Sequence, residues 1–264
     1  MRVLGYVPSL NRNTSGEIAN IIAPFCDKFV AVLQGSATCE ERVPNVEKVH
    51  REPGMRSNRN FALQMALDEG YDVVISSDDD IKFSPKIVAK LLEQIEVLPS
   101  VGMVSSTSRT YYYFNRELKS NMPFIVSPFP TQLFAVRARA IEECGLYDLE
   151  VLEDLEWGLR FWQNGYACVN LHVSMDYTHN PFIPRMAKGD SGGGQTVSAR
   201  EAHFDESLDY IRNKYVGTVL NSVANKQYKG RKSYQCRYNW DWMTTRVTDM
   251  WGAIGYEDSR GREL

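Results

Sequence analysis

The sequence lacks the features that mark several common classes of protein. Its five cysteines are scattered, and none stands in a Cys-x-x-Cys pair, which argues against a zinc site or a disulfide framework. No apolar run approaches the roughly 18 residues that a membrane span needs. The opening residues MRVLGYVPSLNR lack the apolar region and cleavage site of a signal peptide, so we expect a protein of the reducing cytoplasm.

A strong charge imbalance is also missing. The 264 residues carry a formal net charge of −3, with 24% charged and 43% hydrophobic residues. This composition is typical of a globular protein and by itself indicates neither a nucleic acid nor a membrane surface as partner. The length is sufficient for one well-formed core of α/β size.

Strands and helices alternate through the first 105 residues. The predicted strands are Val3–Val7, Phe29–Leu33, Val46–His50, Asp72–Ser76 and Val101–Ser105, and the predicted helices are Gly16–Phe25, Arg56–Gly70 and Pro85–Leu98. In the second helix, Phe61, Met65 and Leu67 are predicted to face the core, and Gly70 is the stop signal. The alternation predicts a mostly parallel sheet with helices on both faces.

The pattern changes after residue 110. An aromatic cluster at 111–114, a proline-rich segment at 123–130, a strand at Gln132–Arg137, a helix at Leu152–Gln163 and an alternating strand at Asn170–Tyr177 follow one another. The second half is therefore expected to be more antiparallel. A glycine-rich loop at 192–194 is either a linker or a lid. Beyond it we predict a helix at Phe204–Val223 and an irregular remainder.

Three consecutive aspartates end a strand in the stretch VVISSDDDI, residues 73–81. In open α/β sheets, ligands bind outside the carboxyl ends of the strands. A divalent cation would turn the mutual repulsion of these carboxylates into attraction, and in an extended segment Asp78 and Asp80 point the same way and can converge on it. The alternative is an acidic turn that caps a helix beginning near Ser84.

Four motifs, in order over about residues 3–180, resemble the inverting nucleotide-sugar glycosyltransferases of the GT-A class. They are PSLNR at 8–12, GMRSNRNFALQMALDEGYDVVISSDDDI at 54–81, and two successive motifs within QLFAVRARAIEECGLYDLEVLEDLEWGLRFWQNGY at 132–166. The last stretch contains an apolar strand with a basic residue and a Gly-aromatic-Asp step, then an acidic pair on an Arg-bearing helix.

This resemblance implies the fold and the domain organisation. The expected fold is a GT-A, Rossmann-like α/β fold with a mostly parallel central sheet, helices on both faces, a small antiparallel region in the second half and a C-terminal extension. The glycosyltransferase domain would span residues 1–184, with a nucleotide-sugar half to about residue 110 and an acceptor half at about 111–184. Residues 185–264 would form the glycine-rich loop and the extension.

The resemblance also assigns donor-binding roles by position. Asp80 would coordinate a manganese or magnesium ion that bridges the donor phosphates, and Asp78 would contact the ribose or reach the metal through water. Asp79, the middle residue, would be structural or donor-facing. The residues placed around the nucleotide are Pro8, Arg12, Arg56 and Asn60. The family often reads the base, here taken as uracil of a UDP-sugar, with an acidic residue, and Gln34 or Ser36 stands in its place.

Glu153 and Asp154 open the Leu152–Gln163 helix. In an anonymous helix they would be first-turn acids favoured by the helix dipole. The resemblance instead makes Asp154 the base that deprotonates the acceptor hydroxyl, with Glu153 as the acceptor-orienting neighbour and the second candidate. Glu156 and Arg160, four residues apart, are predicted to form an ordinary helix salt bridge.

His179 has two interpretations. It is either an ordinary surface or core histidine or, as in many relatives, the residue that completes the metal shell. Imidazole suits manganese better than magnesium, so ligation by His179 would favour manganese.

Basic and aromatic residues are concentrated between 211 and 247, where eight Lys and Arg residues face Asp241 alone. Such a segment can track a phosphate backbone and stack on bases. In size and layout the chain also resembles phage glycosyltransferases that modify hydroxymethylated DNA bases. We therefore predict a DNA acceptor, with a glycan or small-molecule acceptor, or a solvated tail, as alternatives. The residues predicted to bind the acceptor are Lys229, Arg231, Lys232, Trp240 and Trp242.

Two other classes of function stay open. A nucleotidyltransferase would want a glycine-rich or lysine-bearing phosphate loop after the first strand, and PSLNRN is a poor match to one. A non-catalytic sugar or nucleic-acid binding module would be favoured by loss of the acidic pair, which is present.

Overall fold

The computed structural model describes residues 1–97, 101–106, 124–126, 132–171, 178–179, 197–228 and 231–239. Its strands are β1 (Val3–Leu10), β2 (Lys28–Gln34), β3 (Val46–Arg51), β4 (Val73–Ser77), β5 (Ile81–Lys82), β6 (Val101–Ser106), β7 (Phe124–Val126), β8 (Leu133–Arg137), β9 (Ala167–Leu171), β10 (Thr178–His179), β11 (Leu220–Tyr228) and β12 (Arg231–Tyr238). Its α-helices are α1 (Ser15–Ile22), α2 (Met55–Asp68), α3 (Pro85–Val97), α4 (Ala138–Cys144), α5 (Glu153–Gln163) and α6 (Val197–Tyr215), and a short 3-10 helix follows α1 at Ala23–Phe25.

An eight-stranded sheet forms the centre of the molecule, in the order β3-β2-β1-β4-β8-β6-β9-β7. The pairs β1–β2, β1–β4, β2–β3 and β6–β9 are parallel. The strands β1 and β4 lie in the middle and are buried along almost their whole length, as expected for strands with a helix layer on each face. The predicted mostly parallel sheet is confirmed.

The antiparallel strands of this sheet come from the second half of the chain, as predicted. β8 pairs antiparallel with both β4 and β6, and β7 pairs antiparallel with β9. Since β8 separates β4 from β6, these two strands run in the same direction. Because β1 pairs parallel with both β2 and β4, the carboxyl ends of these three strands lie along one edge of the sheet.

The helices form two groups around the sheet. α1 and α3 contact each other, whereas α2 contacts α4 and α4 contacts α5. In the described ranges, no helix has the length and apolar character of a membrane span. The aromatic cluster at 111–114 and the glycine-rich loop at 192–194 lie outside the described residues, as do parts of the proline-rich segment and of the strand predicted at Asn170–Tyr177.

The buried face of α2 differs from the prediction. Phe61, Met65 and Leu67 only pack at the margin of the core. The buried residues of the helix are Asn58, Arg59, Ala62, Leu63 and Ala66. These positions recur every three or four residues and define one helical stripe. The small alanines let the helix approach the sheet closely, and the stripe carries Arg59 inward with them.

The C-terminal extension is more regular than predicted. The predicted helix at Phe204–Val223 is wrong at both ends: α6 begins at Val197 and stops at Tyr215. Within the remainder predicted to be irregular, β11 and β12 form an antiparallel two-stranded ribbon, and residues 240–264 lie outside the described residues. The chain turns between helix and ribbon at Gly217, whose φ of +91° is readily adopted only by glycine.

A buried ion cluster joins α6 to α5. Glu156 is fully buried and forms the predicted ion pair with Arg160. Its Oε1 also accepts hydrogen bonds from Lys214 Nζ at 3.0 Å and from the Tyr215 hydroxyl at 2.5 Å. Burial, reinforced by the adjacent carboxylate, raises the pKa of Tyr215, so the hydroxyl stays a donor. One carboxylate thus satisfies three donors, and two of these lie on α6.

We expect Glu156→Gln to destabilise the protein because it removes the buried one of the two carboxylates, Glu156 and Asp148, that Arg160 and Lys214 share. Lys214 is partly exposed, so the loss in free energy of unfolding should be about 3 kcal/mol, at the low end for a broken buried pair. Glu143→Gln is the matched control, because Glu143 forms the same i,i+4 pair with Arg139 at an exposed site. Urea denaturation measures both variants. Equal, small effects would contradict the prediction.

Candidate active site

The carboxyl ends of β1 and β2 are tied together by Asn11. Its backbone is left-handed, with φ of 54°, and its N–H donates to the carbonyl of Gln34 at 3.1 Å. Its side-chain oxygen accepts the backbone N–H of Ser36 at 2.9 Å. Asparagine tolerates this conformation better than most residues. The PSLNR turn therefore directs Arg12 across the edge of the sheet towards the end of β4.

The three aspartates after β4 do not point into one common space. Asp79 is buried and accepts hydrogen bonds from the Ser9 hydroxyl at 2.6 Å and from Arg12 Nη1 at 2.8 Å. Burial raises the pKa of Asp79, while Arg12 and Ser9 oppose that shift. Arg12 also lies 3.3 Å from Asp80 Oδ2. The middle aspartate is thus tied to the scaffold, leaving Asp78 and Asp80 at the edge.

Arg59 connects the aspartates to the second half of the chain. Its Nη1 donates to Asp154 Oδ1 at 2.7 Å, and its Nη2 lies 3.2 Å from Asp78 Oδ1. Nη1 also approaches the hydroxyl of Tyr147 at 3.3 Å. The side chain of Arg59 is 7% exposed, against 30% for Asp78 and 35% for Asp154. A buried cation therefore holds two carboxylates that both remain accessible.

The electrostatics of this group are unbalanced towards negative charge. Burial raises the pKa of Asp78 to about 7, against the influence of Arg59 and with that of the other carboxylates. Burial also disfavours the charged form of Arg59, but Asp154, Tyr147 and Asp78 outweigh it and raise its pKa. The guanidinium of Arg59 therefore stays charged, whereas the charged form of its partner Asp78 is disfavoured.

The loop before α5 is clamped by α2. The amide of Asn60 donates to the carbonyl of Tyr147 at 2.9 Å and accepts its N–H at 2.9 Å. Arg56 donates to the carbonyl of Asp148 at 2.8 Å and forms an ion pair with Glu150 at 3.2 Å. Both predicted nucleotide-binding residues of α2 thus hold this loop in the structure.

The same loop is also held from α5 and α6. Arg160 Nη1 donates to the carbonyl of Leu146 at 2.8 Å and lies, through Nη2, 3.2 Å from Asp148. From α6, Lys214 approaches the same Asp148 at 3.8 Å. The loop ends at Leu152, a non-glycine residue in the left-handed region with φ of 60°. Backbone strain of this kind persists where the surroundings fix the conformation. Here it sets the start of α5, and hence the position of Asp154.

The remaining predicted donor residues lie at the same edge. Pro8 is buried within β1, opposite Val32. Gln34 ends β2 and is buried, and its Oε1 accepts the N–H of Gly54 at 3.1 Å. That contact fixes the orientation of the amide, with its oxygen directed towards Gly54.

The carboxylates at the end of β4 fit a divalent cation whose coordination shell would be completed by other ligands. Among the described ion pairs, Asp78, Asp79, Asp80 and Asp154 face only the guanidinium groups of Arg12 and Arg59, and the neighbouring carboxylates add to the effect of burial in raising the pKa of Asp78. Within the described ranges, no three His, Cys, Asp or Glu side chains make up a complete ligand group. A cation held by Asp80 and Asp78 would therefore take further oxygens from a bound ligand or water. The backbone of His179 in β10 pairs with Ile81, next to Asp80.

The predicted acceptor residues are only partly described. Lys232 lies on β12 and forms an ion pair with Asp205 of α6 at 2.5 Å. The backbone of Arg231 begins β12. Lys229, Trp240 and Trp242 lie outside the described residues.

Arg59 is the site residue that the sequence interpretation missed. The motif favoured its neighbours Arg56 and Asn60, which touch the loop rather than the carboxylates. The signal that could have found it is the stripe Arg59, Ala62, Leu63 and Ala66, in which a charged residue occupies a core position. A buried arginine requires an acidic partner, and the aspartates after β4 are the nearest candidates.

Comparison with known proteins identifies the fold of the chain. No family model matches the sequence, and no curated protein matches it. A crystal structure of S. aureus TarS residues 1–349 with UDP-GlcNAc matches at a TM-score of 0.51 and 14% identity, over 81% of this chain and 67% of that one. The Pyrobaculum calidifontis mannosyltransferase PcManGT, in complex with GDP-Man and Mn2+, matches at a TM-score of 0.47 and 19% identity.

That second match covers 64% of this chain, which spans 54% of the mannosyltransferase. Its TM-score is too low to carry an argument, so the TarS structure is the informative one. Together with the strand order, it shows that the chain has a GT-A fold, the fold of a large class of glycosyltransferases. At 14% identity the match speaks for the fold and not for the activity.

We expect the effect of Asp154→Asn on stability to change sign with residue 59. In the unchanged protein the substitution removes a charge partner of buried Arg59 and should destabilise. In an Arg59→Met background it removes a carboxylate that repels Asp78, and should stabilise. The coupling free energy, from urea denaturation of the four proteins, should be about 1–3 kcal/mol.

The control for this cycle is an Arg56→Met background. Arg56 is half-exposed and contacts the loop rather than the carboxylates, so Asp154→Asn should remain destabilising there. Additive effects of Arg59→Met and Asp154→Asn would show that the guanidinium does not couple the two aspartates.

Proposed function

We propose that the chain is a metal-dependent, inverting hexosyltransferase that moves a sugar from a nucleotide-sugar, a UDP-sugar, to an acceptor hydroxyl. The observation that carries the proposal is the Arg59 bridge. It brings the aspartate predicted to lie against the donor, Asp78, and the predicted base, Asp154, to one side chain at the carboxyl edge of the sheet. The GT-A fold and the UDP-GlcNAc bound to TarS support the choice of donor.

The base in this proposal is Asp154. The acceptor hydroxyl must lose its proton as its oxygen attacks the anomeric carbon, and a carboxylate within hydrogen-bond reach can accept that proton. The side chain of Asp154 is 35% exposed, so an acceptor can reach it, while Arg59 fixes one of its oxygens. Glu153, the preceding residue at the start of α5, would orient the acceptor.

The donor would lie between the ends of β1, β2 and β4. Gln34 would meet the base, and Asp78 the ribose. Asp80, with Asp78 and His179 as further candidates, would hold a manganese or magnesium ion, which when bound acts as a Lewis acid on the diphosphate leaving group. Arg12 lies beside Asp79 and Asp80, where its positive charge would also face the donor phosphates.

For the acceptor we propose a hydroxymethylated pyrimidine in DNA. The support is the concentration of basic and aromatic residues between 211 and 247, most of which lie beyond Lys214 and Tyr215, the two that hold α5. Incubation with radiolabelled sugar nucleotides and, in parallel, hydroxymethylcytosine DNA, glycans and protein tests donor and acceptor together. Label in the glycan alone would replace the DNA acceptor, and absence of transfer from every donor would favour a binding module.

Removal of the metal ligand should abolish transfer. Asp80→Ala is expected to reduce sugar transfer to background while the thermal unfolding curve stays close to that of the parent. Asp68→Ala is the control, because Asp68 lies at the exposed end of α2, away from the aspartates that follow β4, and accepts a hydrogen bond from the Gln64 side chain of the same helix. EDTA should have the same effect as Asp80→Ala, reversed by manganese or magnesium. Full activity in excess chelator would exclude the metal role.

Loss of the base should lower turnover and spare donor binding. Asp154→Asn keeps an oxygen for Arg59 and removes the proton acceptor, so kcat is expected to fall by ~10²–10⁴. UDP affinity, measured by calorimetry, should stay nearly unchanged. The comparison is Glu153→Gln, for which we expect the smaller effect on kcat. The opposite ranking of the two variants would transfer the role of base to Glu153.

A further inference from the structure

The register of the β11–β12 ribbon divides its side chains between two faces. Residues directly opposite each other in an antiparallel pair point to the same side, and the side alternates along each strand. One side, the inner face, consists of the opposed pairs Val223 with Cys236, Asn225 with Tyr234, and Gln227 with Lys232. Val223 and Cys236 are buried, and the ring of Tyr234 lies 6.4 Å from that of Phe204 on α6. The inner face is therefore the side that packs on α6.

Charges on the inner side are already compensated by α6. Lys232 forms its ion pair with Asp205. Arg212, on α6 itself, forms an ion pair with Asp209 and donates to the side-chain oxygen of Asn225 at 2.6 Å. With Lys214 bound to Glu156, three of the basic residues counted in the sequence already have acidic partners within the protein.

The opposite side, the outer face, is different. Its described positions are Ser222, Ala224 and Lys226 on β11 and Gln235 and Arg237 on β12, and all five are exposed. Residues 216–239 contain no Asp or Glu at all. Over the described ranges, Lys226 and Arg237 form no ion pair. The outer face thus carries two exposed cations without an ion pair among the described residues, separated by small or neutral side chains.

From this we propose that the outer face of the ribbon docks across the major groove of a DNA duplex and contacts phosphates on both sides. The proposal deepens the proposed function, on which it rests for the role of that DNA as acceptor. It shifts the contact from the residues predicted by charge alone, such as Lys232, to Lys226 and Arg237.

The dimensions of the outer face agree with this partner. Arg237 lies opposite Ser222, so it is four residues from Lys226 along the ribbon. At a rise of ~3.3 Å per residue this is about 13 Å. The major groove is about 12 Å wide and admits a two-stranded ribbon. Between the two cations, Ala224 allows close approach, and Gln235 offers an amide that can pair with a base edge.

The test uses a short fluorescein-labelled DNA duplex and fluorescence anisotropy, with the intact chain, at several salt concentrations. Each phosphate contact contributes about 0.9 to the slope of log affinity against log salt. Replacing Lys226 and Arg237 by Gln together should lower the slope by about 1.8 and weaken binding at low salt. The matched control is Lys86→Gln with Lys90→Gln, two exposed cations one turn apart on α3, which should leave the slope unchanged.

Three outcomes would overturn the proposal. The first is an equal salt slope for the ribbon variant and the control. The second is a larger decrease in salt slope for Lys232→Gln than for the ribbon variant. The third is displacement of the duplex by polyglutamate at equal charge, which would indicate a site for acidic polypeptides. UDP binding is measured separately. A protein that binds the duplex through the outer face but does not bind UDP would refute the proposed function and leave this surface standing.

Discussion

The salt bridges of Arg59 are the contacts on which the organisation of the site depends. A guanidinium removed from water needs acidic partners, and here the partners come from opposite halves of the chain. Much of the surrounding structure serves to bring Asp154 within reach. Asn60 fixes the backbone of Tyr147, Leu152 adopts a left-handed turn, and Glu156 anchors α5 to α6.

These contacts make the C-terminal helix part of the site's support. The boundary predicted near residue 184 treats everything beyond it as an extension. Yet Lys214 of α6 contacts Glu156, and approaches Asp148 in the loop that precedes Asp154. A fragment that ended before α6 would leave Glu156 and Asp148 without these contacts. The extension thus has one side that contacts the core and another whose described side chains are exposed.

The sequence was sufficient for the middle of the central sheet because β1, β2 and β4 are buried along almost their whole length and read as continuous apolar runs. The aspartates after β4 were identifiable for a related reason: charged residues directly after such a run must lie at the edge of the sheet. Arg59 was not identified, since its stripe on α2 contains two alanines and looks weaker than the stripe with Phe61 and Met65. A hydrophobic pattern gives the most weight to large apolar side chains. Close packing of α2 against the sheet instead favours small residues such as Ala62 and Ala66 on the buried face.

The charge of the last segment could be counted from the sequence but not interpreted. Eight basic residues within a segment of 37 suggest one continuous basic surface. The register of β11 and β12, however, places Lys226 and Arg237 on the outer face of the ribbon and Lys232 on the inner face. The acids that neutralise the inner residues belong to α6, outside the segment that was counted. Which charges are available to a partner depends on pairing across the ribbon, and strand pairing is a long-range property.

The position of β8 also constrains the order in which the chain can fold. β8 lies between β4 and β6 in the sheet, although it follows both in the sequence. While the chain is being synthesised, the edge of β4 that pairs with β8 has no neighbour until residues 133–137 have emerged. Asp154, a partner of Arg59, is synthesised 95 residues after it. The nascent first half therefore exposes an open strand edge and an arginine that has only Asp78, one of its two carboxylate partners, a state in which binding by a chaperone would be most effective.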